Sequence, residues 1–330
     1  MRETEVQIEN FGSWGRSLRI YIFAATLVIA PSFTTSAQET AQTHVMRGEA
    51  LLAKHDVDGA IAEDLEAVHL EPNNVAAHYG LGHAFQEKGD LKRAIVEYRE
   101  TIRLKPDLAL GHASLGAALQ QTREDLDGAI AENREAIRLD PDLQGAHSNL
   151  GSELRAKGDL DEAITELREA LRLNHDDAKA HRDIGLVLGK KGEWDLSIAE
   201  LRKSVHLDPA LVEAHIGLAG ALGMKRDWDG DIAEHHEALR LESGKAIPDV
   251  ALVGAAHLGL AGALIAKGDS AGAIVELRQA VQVNPSSAEA HYALGTVLKA
   301  RGNPEEAGRE FAEAQRLNPK LKPPSNAQRQ

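Results

Sequence analysis

The chain is predicted to be all-α, built from eight antiparallel helix hairpins stacked into a solenoid, on three observations. First, Pro72, Pro106, Pro141, Pro209, Pro285 and Pro319 are separated by 34, 35, 68, 76 and 34 residues, a period near 34. Second, hydrophobic residues make up 43% of the 330 but aromatics only 4%, so the core must be closed by small side chains packed helix on helix. Third, apolar residues recur at helical spacing in two stretches of each period. Leu150 and Leu154, then Leu160, Ile164, Leu167, Leu171 and Leu173, are one such pair.

Cutting at this period gives segments 41–74, 75–108, 109–143, 144–177, 178–211, 212–245, 254–287 and 288–321, an array over 38–321. Asp56, Asp90, Asp125, Asp159, Asp227, Asp269 and Asn303 stand where a side chain caps the second helix of a pair. Glu162 and Glu306 follow their caps by three as in a capping box, and Pro304 suits a first helical position. Gly89, Gly158, Gly192, Gly268 and Gly302 precede caps and can close the first helix in the left-handed conformation. Gly48, Gly82, Gly116, Gly151, Gly185 and Gly295 in the first helices, opposite Ala60, Ala94, Ala129, Ala163, Ala273 and Ala307 in the second, mark close approach. Asp249 can cap a longer helix over 249–267, whose apolar face Val250, Leu252 and Val253 extend.

This arrangement resembles the tetratricopeptide repeat, with Leu-Gly in helix A, Ala and a large apolar residue in helix B, and a closing Pro, over residues 41–321. The resemblance implies a right-handed superhelix whose A helices line a concave groove for extended peptides or helices. Departures are local: His replaces Trp near each repeat start, His175 and Ser243 stand at the Pro position, and Ser197 and Asp231 replace the packing Ala. One residue is added around Thr122 to Glu124, and eight around Ala246 to Val253. A variety of the family grips a terminal carboxylate; Asn149 and Lys179 match that pattern, whereas Ala113, Ala117 and Asp183 do not.

At the N-terminus Arg16 and Arg19 precede an apolar run, Ile20 to Ala30, then Pro31 and Thr35-Ser36-Ala37. That order is expected of a signal peptide over 1–37 and a periplasmic product, the alternative being a membrane tether left uncleaved. Eleven residues rise about 16 Å against a hydrocarbon core of roughly 30 Å, so no stable membrane span is expected after cleavage. The tail, 322–330, lacks an amphipathic pattern and is expected to be disordered. With no cysteine, disulfides, thiolate metal sites and a cysteine nucleophile are excluded. A net charge of -14 argues against nucleic acid.

Eight histidines recur at one position: His44, His78, His112, His147, His181, His215, His257 and His291. Equivalent residues on successive hairpins lie about 10 Å apart, too far to share one ion, so a packing role is expected rather than a metal site. His235-His236 lacks zincin spacing, Gly185 to Lys191 falls inside a helix and lacks the Ser or Thr of a phosphate loop, and Asp56-Val57-Asp58-Gly59 and Asp125-Leu126-Asp127-Gly128 lack the closing Glu of a calcium loop. No nucleophile elbow occurs. The chain is therefore expected to be no enzyme, with no cofactor and no metal. It is expected to be a scaffold or adaptor that binds a protein or peptide partner; an accessory or chaperone-like subunit of a cell-envelope enzyme complex is the alternative. The candidate groove comprises Ser148, Asn149, Ser152, Arg155, Lys179, Arg182 and Lys190 as a polar, basic zone. Ile216, Leu258 and Ile265 form an apolar one, with Gly220, Gly223 and Gly262 beside them.

Overall fold

The computed structural model describes residues 40–322, which contain sixteen α-helices and no strand. The leader and nearly all of the tail read from the sequence lie outside these residues. The chain divides into two compact units, with the boundary in the sequence between His175 and Asp176. The first holds the hairpins α1 (Ala41–Leu52) with α2 (Val57–Leu70), α3 (Val75–Glu87) with α4 (Leu91–Leu104), α5 (Ala109–Thr122) with α6 (Leu126–Leu139), and α7 (Gln144–Lys157) with α8 (Leu160–Leu173). The second holds α9 (Ala178–Lys190) with α10 (Trp194–Leu207), α11 (Val212–Met224) with α12 (Trp228–Ser243), α13 (Val250–Ala266) with α14 (Ser270–Val283), and α15 (Ala288–Ala300) with α16 (Pro304–Leu317).

The turns follow from local chemistry. Asp56, Asp90, Asp125, Asp227 and Asp269 each accept a bond from the backbone N–H three residues on, and Asn303 does the same for Glu306. Asp159 occupies the cap position of α8 but makes no side-chain cap bond, and Glu162 is drawn away to Arg134 of α6 at 2.6 Å. The capping box expected there does not form, whereas Asn303 and Glu306 keep theirs although Glu306 also accepts from Arg278 at 2.7 Å. The glycines before the caps take φ between 79 and 99°, a region that costs other residues strain. His55, Arg123 and Arg226 occupy the same left-handed place without being glycine.

Each hairpin closes over one residue of its B helix, four after the packing position that holds alanine in six hairpins, Ser197 in the fifth and Asp231 in the sixth. A Cβ on Gly151 would stand 2.5 Å from Leu167 Cγ and 3.2 Å from the Ala163 carbonyl, so the glycine is what lets the helices meet. Equivalent places hold Asp64, Tyr98, Asn133, Leu201, His235, Leu277 and Phe311, all buried. From the far side the next A helix packs on the same residue: Leu201 lies between Gly185 and Gly217, Asp64 between Gly48 and Gly80. This slot is the core unit, repeated along each stack.

The insertion after α12 is built rather than loose. Buried Glu242 accepts from Lys245 Nζ at 2.5 Å and from the Asp249 N–H at 2.7 Å, and Asp249 caps α13 through the Ala251 and Leu252 amides. At 17 residues α13 is longer than the other helices. No helix among the described residues is long and apolar enough to cross a membrane. At the outer side of α16 the exposed residues include Glu305, Arg309, Gln315 and Arg316, a polar finish to the second unit.

Candidate binding faces of the helical hairpins

Within the first unit α1 meets α3, α3 meets α5 and α5 meets α7; within the second α9 meets α11 and α11 meets α13. Consecutive B helices make no comparable contact, so each unit presents a layer of A helices. In the first unit Ser148, Asn149, Ser152 and Arg155 of α7 are all partly buried on that layer, and Gln144 Nε2 donates to Ser148 Oγ at 2.9 Å. Tyr79 reaches Ser114 Oγ on α5 at 3.3 Å; burial pushes its phenol pKa up against that hydrogen bond.

In the second unit Lys179 and Lys190 are exposed, but Arg182 is not the open basic group its position in the sequence suggests. Its side chain is 15% exposed and Nε donates to Asp183 Oδ1 at 2.9 Å. Burial disfavours the charge, yet the Asp183 carboxylate outweighs it and holds the guanidinium pKa up. Ile216 packs against Val212, Ala238 and Ala256, and Leu258 against the cluster around Leu277 and Leu294, so both belong partly to the core. Ile265 is 43% exposed. Met224, which the sequence reading passed over, is 61% exposed and ends α11 where Lys190 ends α9. Gly220 and Gly262 are bare, since a Cβ on either would meet nothing within 4 Å.

The recurring histidines are joints. In every hairpin the imidazole Nδ1 lies 2.6 to 2.7 Å from a B-helix glutamate: Glu63, Glu97, Glu132, Glu166, Glu200, Glu234, Glu276 and Glu310 in chain order. In five hairpins Nε2 also meets the carbonyl of the proline six residues earlier, at 3.0 to 3.1 Å. The packing role expected of these residues thus has a polar content that periodicity alone does not reveal. The acids of the calcium-like turns are likewise engaged, Asp58 by Lys88 at 2.6 Å and Asp127 by Lys157 at 2.8 Å.

Three core slots hold polar groups. Asp64 has both carboxyl oxygens buried without a hydrogen-bond partner; burial, then the charges of Glu49 and Glu63, push its pKa up to about 7. Asn133 donates to Glu153 Oε1 at 2.7 Å, and burial pushes that glutamate up to about 8 against the hydrogen bond. His235 Nδ1 bonds Asp231 Oδ1 at 2.7 Å, both side chains being under a tenth exposed.

The TPR repeat family model matches residues 48–89, 82–122, 151–192 and 262–302, and the tetratricopeptide repeat model matches 288–321. No curated protein matches the chain. Among solved structures, the APC/C hetero-tetramer Cut9–Hcn1 is similar at a TM-score of 0.68 and 17% identity over 84% of this chain, which spans about half (53%) of that one. The human IFIT1 dimer with m7Gppp-AAAA is similar at 0.58 and 18%, covering 84% of this chain and 72% of that one. These likenesses share the fold. With family matches over more than half its length and the helix-hairpin architecture they describe, the chain belongs to the tetratricopeptide repeat family.

Proposed function

We propose that the protein is a non-enzymatic scaffold or adaptor that holds an extended segment of a partner protein on its A-helix layer. The observation that carries this reading is the face of α11 and α13, where Ile265 and Met224 stay exposed beside the bare backbone of Gly220 and Gly262. Exposed apolar side chains next to uncovered backbone suit a chain that lies flat and desolvates them together, and such anchors dominate binding energy. Lys179 and Lys190 add basic groups that favour a partner with acidic residues and raise its encounter rate more than its affinity. The m7Gppp-AAAA bound to IFIT1 belongs to that protein; here the net charge of -14 weighs against a phosphate backbone.

The test is co-purification from the native host, identification of the partner, and titration of the purified pair. Ile265→Glu with Met224→Glu is expected to weaken binding at least about tenfold while circular dichroism stays unchanged. Leu258→Glu is unsuitable because Leu258 supports the core. Unchanged affinity in the double variant would remove the A-helix layer of the second unit as the site. The N-terminal order of charged, apolar and small residues supports export to the periplasm as part of the same reading. N-terminal sequencing of the host's protein checks it: a start near Gln38 is expected, and an intact Met1 in the soluble cytoplasm contradicts it.

A further inference from the structure

Five imidazoles, those of His78, His112, His147, His215 and His291, stand between a glutamate carboxylate and a proline carbonyl. Both partners are acceptors, and a neutral imidazole has a single N–H to donate. Satisfying both bonds requires one proton more than a neutral ring beside a carboxylate holds, whichever atom of the pair carries it. The two bonds also differ in what they join. The glutamate lies on the same hairpin, whereas the proline ends the hairpin before it, so the extra proton ties one repeat to the next.

A second feature of the sequence follows the same five hairpins. Beside His147, Glu166 is followed by Glu169 and Arg172, the last pair bonded at 2.7 Å; beside His215, Glu234 is followed by Glu237 and Arg240, bonded at 2.8 Å. The same acid, acid, arginine spacing recurs in the hairpins of His78, His112 and His291. It is broken in the other three. His69 replaces the arginine in the first, Lys203 and His206 replace acid and arginine in the fifth, and Gln279 and Gln282 do so in the seventh. Those are the hairpins in which Gln38, His175 and Ala251 stand six before the histidine in place of proline. A second carboxylate and its arginine therefore accompany each histidine that stands between a glutamate and a proline carbonyl, and that carboxylate favours a cationic ring.

We propose that two of these histidines, His147 in the first unit and His215 in the second, are proton-dependent latches between consecutive hairpins, so that a rise in pH loosens the stacking within each unit. Around His147, α8 brings Glu166 and Glu169, α5 carries no titratable group except His112, and the α6 acids Glu132 and Glu135 face His112 and Arg138; Asp140 and Asp142 flank Pro141. Around His215, α12 brings Glu234 and Glu237, α13 carries only His257, the α10 acid Glu200 meets His181 while Lys203 and His206 are exposed, Glu213 lies on its own helix, and Asp208 precedes Pro209. Burial opposes the charge on His147, but the Glu166 bond, the Pro141 carbonyl and the two acids outweigh it and raise the pKa; on His215 the Glu234 bond leads the same result. Stability from these rings is fully present below the ordinary imidazole value, about 6.5, and is lost as pH rises through the raised folded value.

The experiment uses the full chain. Nitrogen NMR of the histidine-labelled protein at pH 6 is expected to show both ring nitrogens of His147 and His215 protonated, with loss of that signature at higher pH. One protonated and one bare nitrogen at pH 6 would overturn the proposal. Urea unfolding of wild type and of His147→Gln with His215→Gln gives the energetic readout. The wild-type unfolding constant is expected to rise with pH above about 6.5, and the variant to lose up to about tenfold per pH unit of that rise for each histidine removed. Asp64 and Glu153 are present in both proteins, so they cancel from this difference. Parallel pH profiles would overturn the latch, and if the variant does not fold, the NMR titration of wild type decides alone.

Discussion

A leucine in place of Asp64 would test what the core slot asks of its residue. Leu201 fills the same slot between Gly185 and Gly217 as Asp64 does between Gly48 and Gly80, so the shape is already proven for leucine in this chain. Asp64 has no partner there and its carboxyl is raised from 3.8 to about 7 by burial and two nearby acids. The neutral form is the one that folds, so the contribution is fully present below about pH 4 and lost as pH climbs towards 7. Asp64→Leu is expected to stabilise the protein by about 2 kcal/mol at pH 8 and by less at pH 4, measured by urea unfolding. An equal gain at both values would mean the carboxyl never carries the proton. At the slot of the fourth hairpin the opposite change applies: Leu167 is fully buried against Gly151, and Leu167→Ala is expected to cost about 2 to 4 kcal/mol. A cost below about 1 kcal/mol would show that the surrounding helices collapse into the space.

Helix ends were legible in the sequence because their chemistry is local. A side-chain cap favours an Asp or Asn three residues before a free N–H, and a left-handed closure favours a glycine beside it, and both can be read from a single turn. Asp159 stands at its cap position without making the bond, and Glu162 answers to Arg134 on another helix, a contact no single turn contains. The same distinction governs the candidate face. Lys179 and Lys190 are exposed as their pattern suggests, while Arg182 folds onto its neighbour Asp183 and Leu258 sinks towards Leu277 and Leu294, because the next A helix decides how much of each residue stays open. Periodicity gives a helix its faces but not the angle at which the following hairpin covers them. The closures also give an elemental prediction. Arg226 ends α11 at φ 63° where other hairpins place glycine, so Arg226→Gly is expected to raise stability by about 0.5 to 1 kcal/mol. Thermal unfolding checks this, and a loss would mean that the arginine side chain contributes more than the strain costs.

At the scale of the whole molecule, the formal charge of -14 treats every carboxyl as ionised and every histidine as neutral, and the fold departs from both assumptions in the same direction. Asp64 and Glu153 hold protons up to about 7 and about 8, and the pKa values of His147 and His215 are raised by their glutamates. The opposite shifts do not compensate at neutral pH. Glu100, Glu135, Glu237 and Glu313 are lowered by hydrogen bonds from arginines, but these partly exposed acids are already ionised at pH 7 in the unfolded chain as well. Arginines and lysines whose pKa values are raised are likewise charged in both states. The buried acids Asp64 and Glu153 and the latched histidines His147 and His215 all gain protons on folding near neutrality. Refolding from urea at pH 7 in weak buffer is therefore expected to take up about one to three protons per chain, leaving the native protein less negative than its sequence implies. A pH-stat records the uptake directly, and the same refolding at pH 10 should take up none of these protons because each of the four groups is then deprotonated in both states. Release of protons at pH 7 would mean that water or rearranged side chains solvate these groups in the native state, and the pH dependence argued for Asp64 would fall with it.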